Sequence, residues 1–256
     1  MMTLLNGEQF QEKELLEKMR DDTFYYGHLG KNALSKSAFS DLLKSPRTYR
    51  NKIFKETKPS TDLEIGKLLH WAILEPDKFQ AIHVVDATTK NTNKYKEAVQ
   101  KYGEVYLKQQ VKQVERLADS LLSNEAIIQE LNKSDFEIPA CSMIEGLPFR
   151  AKADIVKKDK SLILDLKTTK TDLEHFHFDA HKYKYHLQAY LYKRMFKKDD
   201  FKFIVINKVS TDTAIFETSD EFIEKGEKEF YKAVKTFKYW QKRDWELDSY
   251  IFRGTL

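Results

Sequence analysis

The chain has 256 residues, of which 41% are hydrophobic and 33% are charged, and its formal net charge is +4. This composition is typical of a globular protein with one sizeable core. The sequence has no apolar run of the about 18 residues needed to span a bilayer, and its first twenty residues lack the apolar core of a signal peptide. One cysteine excludes an internal disulfide framework or a four-cysteine cluster. We therefore expect a cytoplasmic protein without membrane association.

The N-terminal half, residues 1–133, is predicted to be mostly helical. Residues 1–30 are predicted as a helix that ends in a loop around residues 25–30. Capping residues, prolines and apolar spacing predict helices over residues 35–46, with Ser35 or Ser37 as N-cap, and then over residues 46–54 and 61–74. Residues 77–93 are predicted to be irregular or extended, and residues 94–132 to form charged helices with breaks near 103 and 123–124.

The C-terminal half changes to a hydrophobic period of two. Three strands are predicted as an antiparallel meander, over residues 136–143, 147–156 and 161–168. A helix over residues 174–198, a hairpin over 201–218 and a long amphipathic helix over 221–243 follow. This order predicts an α/β (α+β) fold, a single domain over residues 1–256 whose central mixed sheet, within 134–245, is flanked by helices.

The third predicted strand reads Ser-Leu-Ile-Leu-Asp-Leu-Lys-Thr-Thr from residue 161. Alternate side chains of a strand share a face, so Asp165 and Lys167 project to the same side. A surface ion pair on an edge strand is the simpler interpretation. If the strands pair about a turn at 158–159, however, Asp154 lies opposite Ile163 and diagonal to Asp165, within reach of a shared ion.

A third carboxylate, Glu137, can join this pair from the first predicted strand. Carboxylates that converge on one face repel each other unless a cation binds between them, and Mg²⁺ or Mn²⁺ suits oxygen ligands. In the helix over 61–74, His70 lies one turn after Gly66, so a ligand or another element can approach it closely. A structural histidine bonded to a nearby carbonyl is the alternative.

Two further patterns lie in the helix over 174–198 and just after it. Gln188 and Tyr192 are one helical turn apart, and both can position a phosphate or a water, although any amphipathic helix can carry such a pair. Basic residues alternate with aromatic residues between His181 and Lys202, which suits a polyanion with stackable bases, and again also suits an ordinary amphipathic helix.

Asp154, Asp165-Leu-Lys167 and Gln188-Ala-Tyr-Leu-Tyr192 together resemble the PD-(D/E)XK nuclease superfamily. Segments 35–47, 65–76 and 146–154 extend this resemblance to RecE-type exonuclease VIII and lambda-exonuclease-like phage recombination nucleases, over about residues 30–245. The resemblance implies Mg²⁺-dependent (or Mn²⁺-dependent) 5′ to 3′ digestion of linear double-stranded DNA from its ends. It also implies 3′ single-stranded products for phage recombination, a RecT-type single-strand annealing protein as partner, and a ring-like homo-oligomer, a trimer or tetramer.

The resemblance also assigns roles by position. It implies that the metal ligands are Glu137, Asp154, Asp165 and His70, that Lys167 is the catalytic lysine, and that Gln188 and Tyr192 form the auxiliary motif. Pro139 departs from the usual pattern and leaves the register of the Glu137 strand open. We expect four basic residues to contact DNA: Arg47, Arg50, Lys52 and Arg150.

Three rival interpretations use the same residues. A structure-specific or restriction-type endonuclease can be built on the same core. A catalytically inactive DNA-binding module is disfavoured because the acid, acid-x-Lys and Gln-x-x-x-Tyr positions are all filled. A nuclease with an iron–sulfur cluster would need four cysteines, and the chain has one.

Overall fold

A five-stranded sheet forms the centre of the computed structural model, which describes residues 1–54, 61–248 and 250–252. Its strands, in spatial order, are β5 (Ser134–Ile144), β6 (Leu147–Lys157), β7 (Leu162–Thr169), β8 (Asp200–Asn207) and β9 (Thr213–Glu217). β7 and β8 run parallel, and the other neighbours run antiparallel. The predicted mixed sheet, its opening meander and its second hairpin are therefore confirmed.

The central strand β7 is buried on both faces, as its apolar sequence requires. Leu162, Leu164 and Leu166 pack into one cluster with residues of the helices on one side, whereas Ile163 packs into another with the helices on the opposite side. The alternation of apolar side chains thus fixes which face Asp165 and Lys167 share, and it places both on the side of Ile163.

The first thirty residues differ from the prediction. They form a small hairpin of β1 (Met2–Thr3) and β2 (Gln9–Phe10), then α1 (Glu12–Lys18), a π-helix (Thr23–His28) and α2 (Leu29–Asn32). The loop predicted around residues 25–30 is wrong because Tyr25 and Leu29, one turn apart, are buried together with Leu15 and Met19. This shared apolar face outweighs the two glycines of the segment.

The next helices follow the sequence closely. They are α3 (Lys36–Lys44), α4 (Pro46–Phe54) and α5 (Thr61–Leu74), and the Ser35 side chain caps α3 by accepting from the N–H of Ala38. Residues 77–93 are predicted to be irregular or extended. Part of this segment is instead helical, in α6 (Pro76–Gln80), because proline is favoured in the first turn of a helix, and β3 (His83–Val85) is extended as expected.

Both breaks predicted within residues 94–132 are confirmed, but the expectation that this segment is helical throughout is wrong, because a short strand follows the first break. α7 (Asn93–Tyr102) ends at Gly103, which has a φ of 78°, and β4 (Val105–Leu107) pairs with β3 in a parallel sheet of two strands. α8 (Lys108–Leu122) is followed by α9 (Glu125–Leu131), which Asn124 caps. Within the described ranges, no helix has the length and apolarity to cross a membrane.

The single helix predicted over 174–198 is wrong, since the chain interrupts it. A short 3₁₀ helix (Leu173–His175) and α10 (Phe176–Lys182) precede α11 (Tyr185–Phe196), and Lys184 between them has a left-handed backbone with φ 55°. The last helix, α12 (Asp220–Gln241), crosses α11 at close range. No glycine or proline marks the interruption, so the sequence pattern concealed it.

Gly226 permits this close crossing of α11 and α12. A Cβ atom at this position would lie 2.1 Å from the carbonyl oxygen of His186, which is far inside van der Waals contact with a backbone atom that cannot move freely. The side chain of Phe230, one turn later, is fully buried on the same interface. Any larger residue at 226 must therefore push the two helices apart.

We predict that Gly226→Ala lowers the free energy of unfolding by about 1–3 kcal/mol, the usual cost of overpacking. Urea denaturation measures the change. Gly27→Ala is the matched control, because a Cβ at Gly27 would meet nothing within 4 Å. Equal stability of the two variants would contradict the close crossing.

Candidate active site

The candidate site lies next to the short paired segment of β6 and β7. Their paired residues are Ile155 with Leu164 and Val156 with Ile163, because residues 158–161 form a longer connection than the predicted tight turn. The expectation that Asp154 lies opposite Ile163 is therefore wrong by two residues. Instead, the Asp154 carboxylate accepts a hydrogen bond of 2.8 Å from the N–H of Leu166, which fixes its direction.

Three potential metal ligands converge beside this bond. One ligand atom each from His70, Glu137 and Asp154 lies within 4.8 Å of the others. His70 comes from α5, Glu137 from β5 and Asp154 from β6. Helix and sheet thus bring together residues that are 84 positions apart in the sequence.

His70 fits both interpretations of it, since it contacts a backbone carbonyl and also lies among the potential metal ligands. Its Nε2 lies 2.8 Å from the carbonyl oxygen of Leu166, and its Nδ1 lies 3.5 Å from the Asp154 carboxylate. A carbonyl oxygen only accepts, so Nε2 carries the proton, and Nδ1, on the side of the Asp154 carboxylate, can bind a metal ion when it is unprotonated. A carbonyl that orients a histidine in this way is a usual partner of metal-binding histidines.

Glu137 lies on the edge strand of the sheet, which explains why Pro139 is tolerated there. Pairing with β6 continues through Pro139 opposite Lys152, so the register that Pro139 left open is regular. The backbone of Glu137 is itself left-handed, with φ 52°. Such a conformation costs a non-glycine residue about 1–2 kcal/mol.

Burial and mutual repulsion oppose the ionisation of the two carboxylates. Burial and the nearby charge of Asp165 raise the pKa of Asp154 to about 6. Burial and the charge of Asp154 raise the pKa of Glu137 to about 8. Two carboxylates and one neutral imidazole nitrogen fit a divalent cation, which would remove this repulsion. The nitrogen ligand suits Mn²⁺ better than Mg²⁺.

Asp165 lies behind this group and has other partners. It forms an ion pair with Lys167 and accepts a hydrogen bond from the amide of Gln188. Burial alone would lower the pKa of Lys167, but the negative charge of Asp165 raises it above its ordinary value, so Lys167 is protonated. The role of Asp165 as a metal ligand stays a prediction.

Tyr192 lies at the base of the site. Its ring packs against Phe196 and Phe201. Burial raises the pKa of its hydroxyl well above the ordinary value, as do the neighbouring Tyr25 and the two aspartates, Asp165 and Asp154. Gln188 thus bonds Asp165 directly, whereas Tyr192 packs in an aromatic cluster near the two aspartates.

A cleft of about 1120 Å³ opens above His70, Glu137 and Lys167. Its walls are rich in lysine, and the residues concerned are Lys36, Lys44, Lys52, Lys67, Lys170, Lys182, Lys184 and Lys208. Acidic residues partly balance them. Asp41, for example, lies 3.3 Å from Lys44 and 2.9 Å from Lys52. A basic cleft over a carboxylate site attracts a polyanion.

Of the four basic residues expected to contact DNA, the structure brings only Lys52 to this cleft. Arg47 donates a hydrogen bond to the carbonyl of Leu247, and the guanidinium of Arg50 lies 5.5 Å from the centre of the Trp245 ring. Arg150 lies on the ring of Tyr25, at 4.3 Å. The three arginines therefore face other segments of the chain, which the sequence pattern alone did not indicate.

Sequence reasoning missed two cleft residues. Lys36, in the first turn of α3, donates a hydrogen bond of 2.8 Å to the carbonyl of Tyr183, and burial and the charge of Lys167 lower its pKa to about 7. Asp22, before the π-helix, binds Lys152 and Lys78, each at 2.6 Å. Segment 35–47 carried the resemblance and contains Lys36, but nothing in the sequence marked Asp22.

Fold and site together define the class of protein. A mixed sheet that carries Asp154 on one strand and Asp165-x-Lys167 on the next, followed by a helix with Gln188, is the core of a PD-(D/E)XK nuclease. Residues 35–247 match the family described as "PDDEXK-like domain of unknown function (DUF3799)", and the chain belongs to this family. The superfamily predicted from the motifs is confirmed, and the chain is an enzyme of the nuclease class.

Two solved structures are similar to this chain at low sequence identity, and only the first is similar enough to show a shared fold. A candidate exonuclease from Eubacterium rectale has a TM-score of 0.65 and 14% identity, over 98% of this chain and 97% of that one. A phage-related exonuclease from Haemophilus somnus has a TM-score of 0.37 and 12% identity, over 74% and 97%. No curated protein sequence matches this chain. The Eubacterium protein shows that the fold extends over nearly the whole chain.

The raised pKa values predict how metal-free stability depends on pH. The folded chain holds the Glu137 proton more tightly than the unfolded chain, so this group favours folding at low pH, and its contribution is lost as pH rises from 4.5 towards about 8. We expect the stability of the wild type in EDTA to fall across this window more than that of Glu137→Gln.

The same experiment tests the metal site. Mn²⁺ should raise the melting temperature of the wild type at pH 8 and leave that of Glu137→Gln nearly unchanged, because a ligand that binds only the folded state stabilises it. Scanning calorimetry in EDTA and in Mn²⁺ measures both effects. Parallel pH curves and equal Mn²⁺ shifts for the two proteins would contradict the site.

Proposed function

We propose that this protein is a metal-dependent exodeoxyribonuclease that hydrolyses linear double-stranded DNA from its ends. The observation that carries the proposal is the convergence of His70, Glu137 and Asp154 beside the Asp165–Lys167 pair, beneath a lysine-lined cleft. Phosphodiester hydrolysis requires a cation site, a positioned nucleophile and cations along the substrate backbone. The described residues of the cleft supply side chains suited to each of these needs.

The metal is the expected source of the chemistry. A divalent cation held by His70, Glu137 and Asp154 would polarise the phosphodiester and lower the pKa of a water bound to it. Mg²⁺ is the cation that the family resemblance implies, and Mn²⁺ suits the imidazole nitrogen. Asp165 is proposed to join the ligand set from behind.

The protein side chains orient the reacting groups. Lys167 is protonated and donates hydrogen bonds, so it can hold a phosphate oxygen or the attacking water. Asp165 restrains the Lys167 ammonium, and Gln188 in turn holds the Asp165 carboxylate. A chain of fixed partners of this kind keeps a catalytic group in one geometry.

The finer features of the proposal come from the motif resemblance. We propose digestion with 5′ to 3′ polarity, which leaves 3′ single strands for phage or prophage recombination. A RecT-type annealing protein is the proposed partner, and a ring-like homo-oligomer would keep the enzyme on its substrate. The Eubacterium rectale neighbour is described as a candidate exonuclease, which supports action at DNA ends.

Cleavage of linear and of covalently closed circular DNA tests the proposal. We expect metal-dependent loss of the 5′ label from linear duplexes only, and none in EDTA. Lys167→Ala and Asp165→Ala should abolish cleavage while the chain stays folded, because each removes a member of the buried pair. Lys160→Ala, on the exposed connection between β6 and β7, is the control that retains activity.

Other outcomes of this experiment would support the rival functions. Nicking or linearisation of the circle would reassign the chain to an endonuclease on the same core. Binding without cleavage of any DNA would indicate an inactive binding module. Full activity in Lys167→Ala would refute the assignment of the catalytic lysine.

The different environments of the basic residues predict which ones bind DNA. Lys52 and Lys182 line the cleft, whereas Arg47 and Arg50 contact the C-terminal segment. We expect Lys52→Ala/Lys182→Ala to weaken binding of a duplex end in EDTA, and to reduce the slope of log K against log salt by about 1 per lost phosphate contact.

Arg47→Ala/Arg50→Ala removes the same charge and is therefore the matched control. It should change both the affinity and the salt slope less. Fluorescence anisotropy at several salt concentrations gives both quantities. A larger loss in the arginine variant would instead support the expectation that Arg47 and Arg50 contact DNA.

A further inference from the structure

The first turn of α11 contacts both members of the Asp165–Lys167 pair. Gln188 donates to the Asp165 carboxylate, and the Lys167 ammonium lies 5.0 Å from the centre of the Tyr185 ring. Tyr185 and Gln188 are three residues apart and therefore lie on one face of the helix. One helical turn thus holds the acid by a hydrogen bond and the base by an aromatic face.

The Tyr185 ring has a fixed position in the core. It packs against two buried rings, Phe203 at 5.4 Å and Phe176 at 6.0 Å between centroids. The left-handed Lys184 starts α11 at this point, so the interruption that the sequence concealed is what places Tyr185 beside the strand. A ring held in this way can orient a flexible lysine.

A second ammonium group shares the same ring. The Lys36 Nζ lies 5.1 Å from the Tyr185 centroid and is fixed by its hydrogen bond to the Tyr183 carbonyl. Two like charges at this distance repel each other. The lowered pKa of Lys36 reflects this repulsion by Lys167, although burial is its main cause. The negative face of an aromatic ring offsets part of this cost for both cations.

We infer that Tyr185 is a positioning residue for the nuclease reaction, whose ring holds the Lys167 ammonium at the floor of the cleft. The inference rests on the proposed function. Without the ring, Lys167 would keep Asp165 as its partner but would lose its second restraint, so its ammonium would be more mobile and more accessible from the cleft. The ring, rather than the hydroxyl of Tyr185, supplies this effect, so phenylalanine can replace tyrosine.

Three variants separate positioning from packing. Tyr185→Leu removes the aromatic face, Tyr185→Phe retains it, and Phe216→Leu removes a ring of the same cluster that packs on Phe176. We expect kcat to fall about 2- to 30-fold in Tyr185→Leu, the rate equivalent of a cation–π contact. KM for DNA should stay within a factor of two to three.

The two other variants should behave differently. Tyr185→Phe should retain kcat within about twofold of the wild type, the rate equivalent of about 0.4 kcal/mol. Phe216→Leu should lower the melting temperature, because it removes packed side-chain volume, without lowering kcat. Equal losses of kcat in Phe216→Leu and Tyr185→Leu would reduce Tyr185 to a packing residue and overturn the inference.

Lysine labelling gives a readout that does not depend on cleavage. An amine-reactive reagent, followed by mass spectrometry of the peptides, should modify Lys167 and Lys36 faster in Tyr185→Leu than in the wild type, and at wild-type rates in Tyr185→Phe. Wild-type kcat and wild-type labelling in Tyr185→Leu would overturn the inference alone. A wild-type chain that cleaves no DNA would overturn the proposed function, and the catalytic role of Tyr185 with it.

Discussion

Repulsion between buried carboxylates is the constraint on which the rest of the structure depends. Asp154 and Glu137 converge where burial opposes their ionisation, and Asp165 adds a third charge close behind. Neighbouring groups offset this repulsion in different ways. Lys167 neutralises Asp165, the N–H of Leu166 binds Asp154, and the imidazole of His70 completes a set that a cation would join. In the absence of a cation, burial and mutual repulsion thus disfavour the charged form of this carboxylate cluster.

The architecture meets this constraint by approaching β7 from both sides. α5 covers one face of the sheet and supplies His70, while the crossover to the parallel strand β8 returns through α11 and supplies Gln188. Antiparallel neighbours contribute the carboxylates of β5 and β6. A mixed sheet is needed for this arrangement, because a hairpin alone would provide no helical crossover beside the reactive strand.

Much of the fold followed from local patterns, and much of the site did not. The period of two identified β7 and the face that Asp165 and Lys167 share, and a serine cap marked the start of α3. The sequence did not predict the break at Lys184, because no residue there disfavours a helix and the left-handed backbone depends on the packing of the folded chain. The contact of Arg47 could not be predicted for a related reason, since its partner lies 200 residues away and no local pattern indicates such a contact.

Leu166 shows how a site can rest on groups that every residue has. Its N–H directs Asp154 and its carbonyl directs His70, so one peptide backbone orients two of the three clustered ligands. Its side chain points into the hydrophobic core on the other face of the strand. Alanine scanning would register position 166 as a packing residue only, because the substitution leaves both backbone groups in place. The orienting element of this centre is therefore invisible to side-chain mutagenesis and to comparisons of residue identity, and only changes to the backbone itself, such as an ester bond, would reveal it.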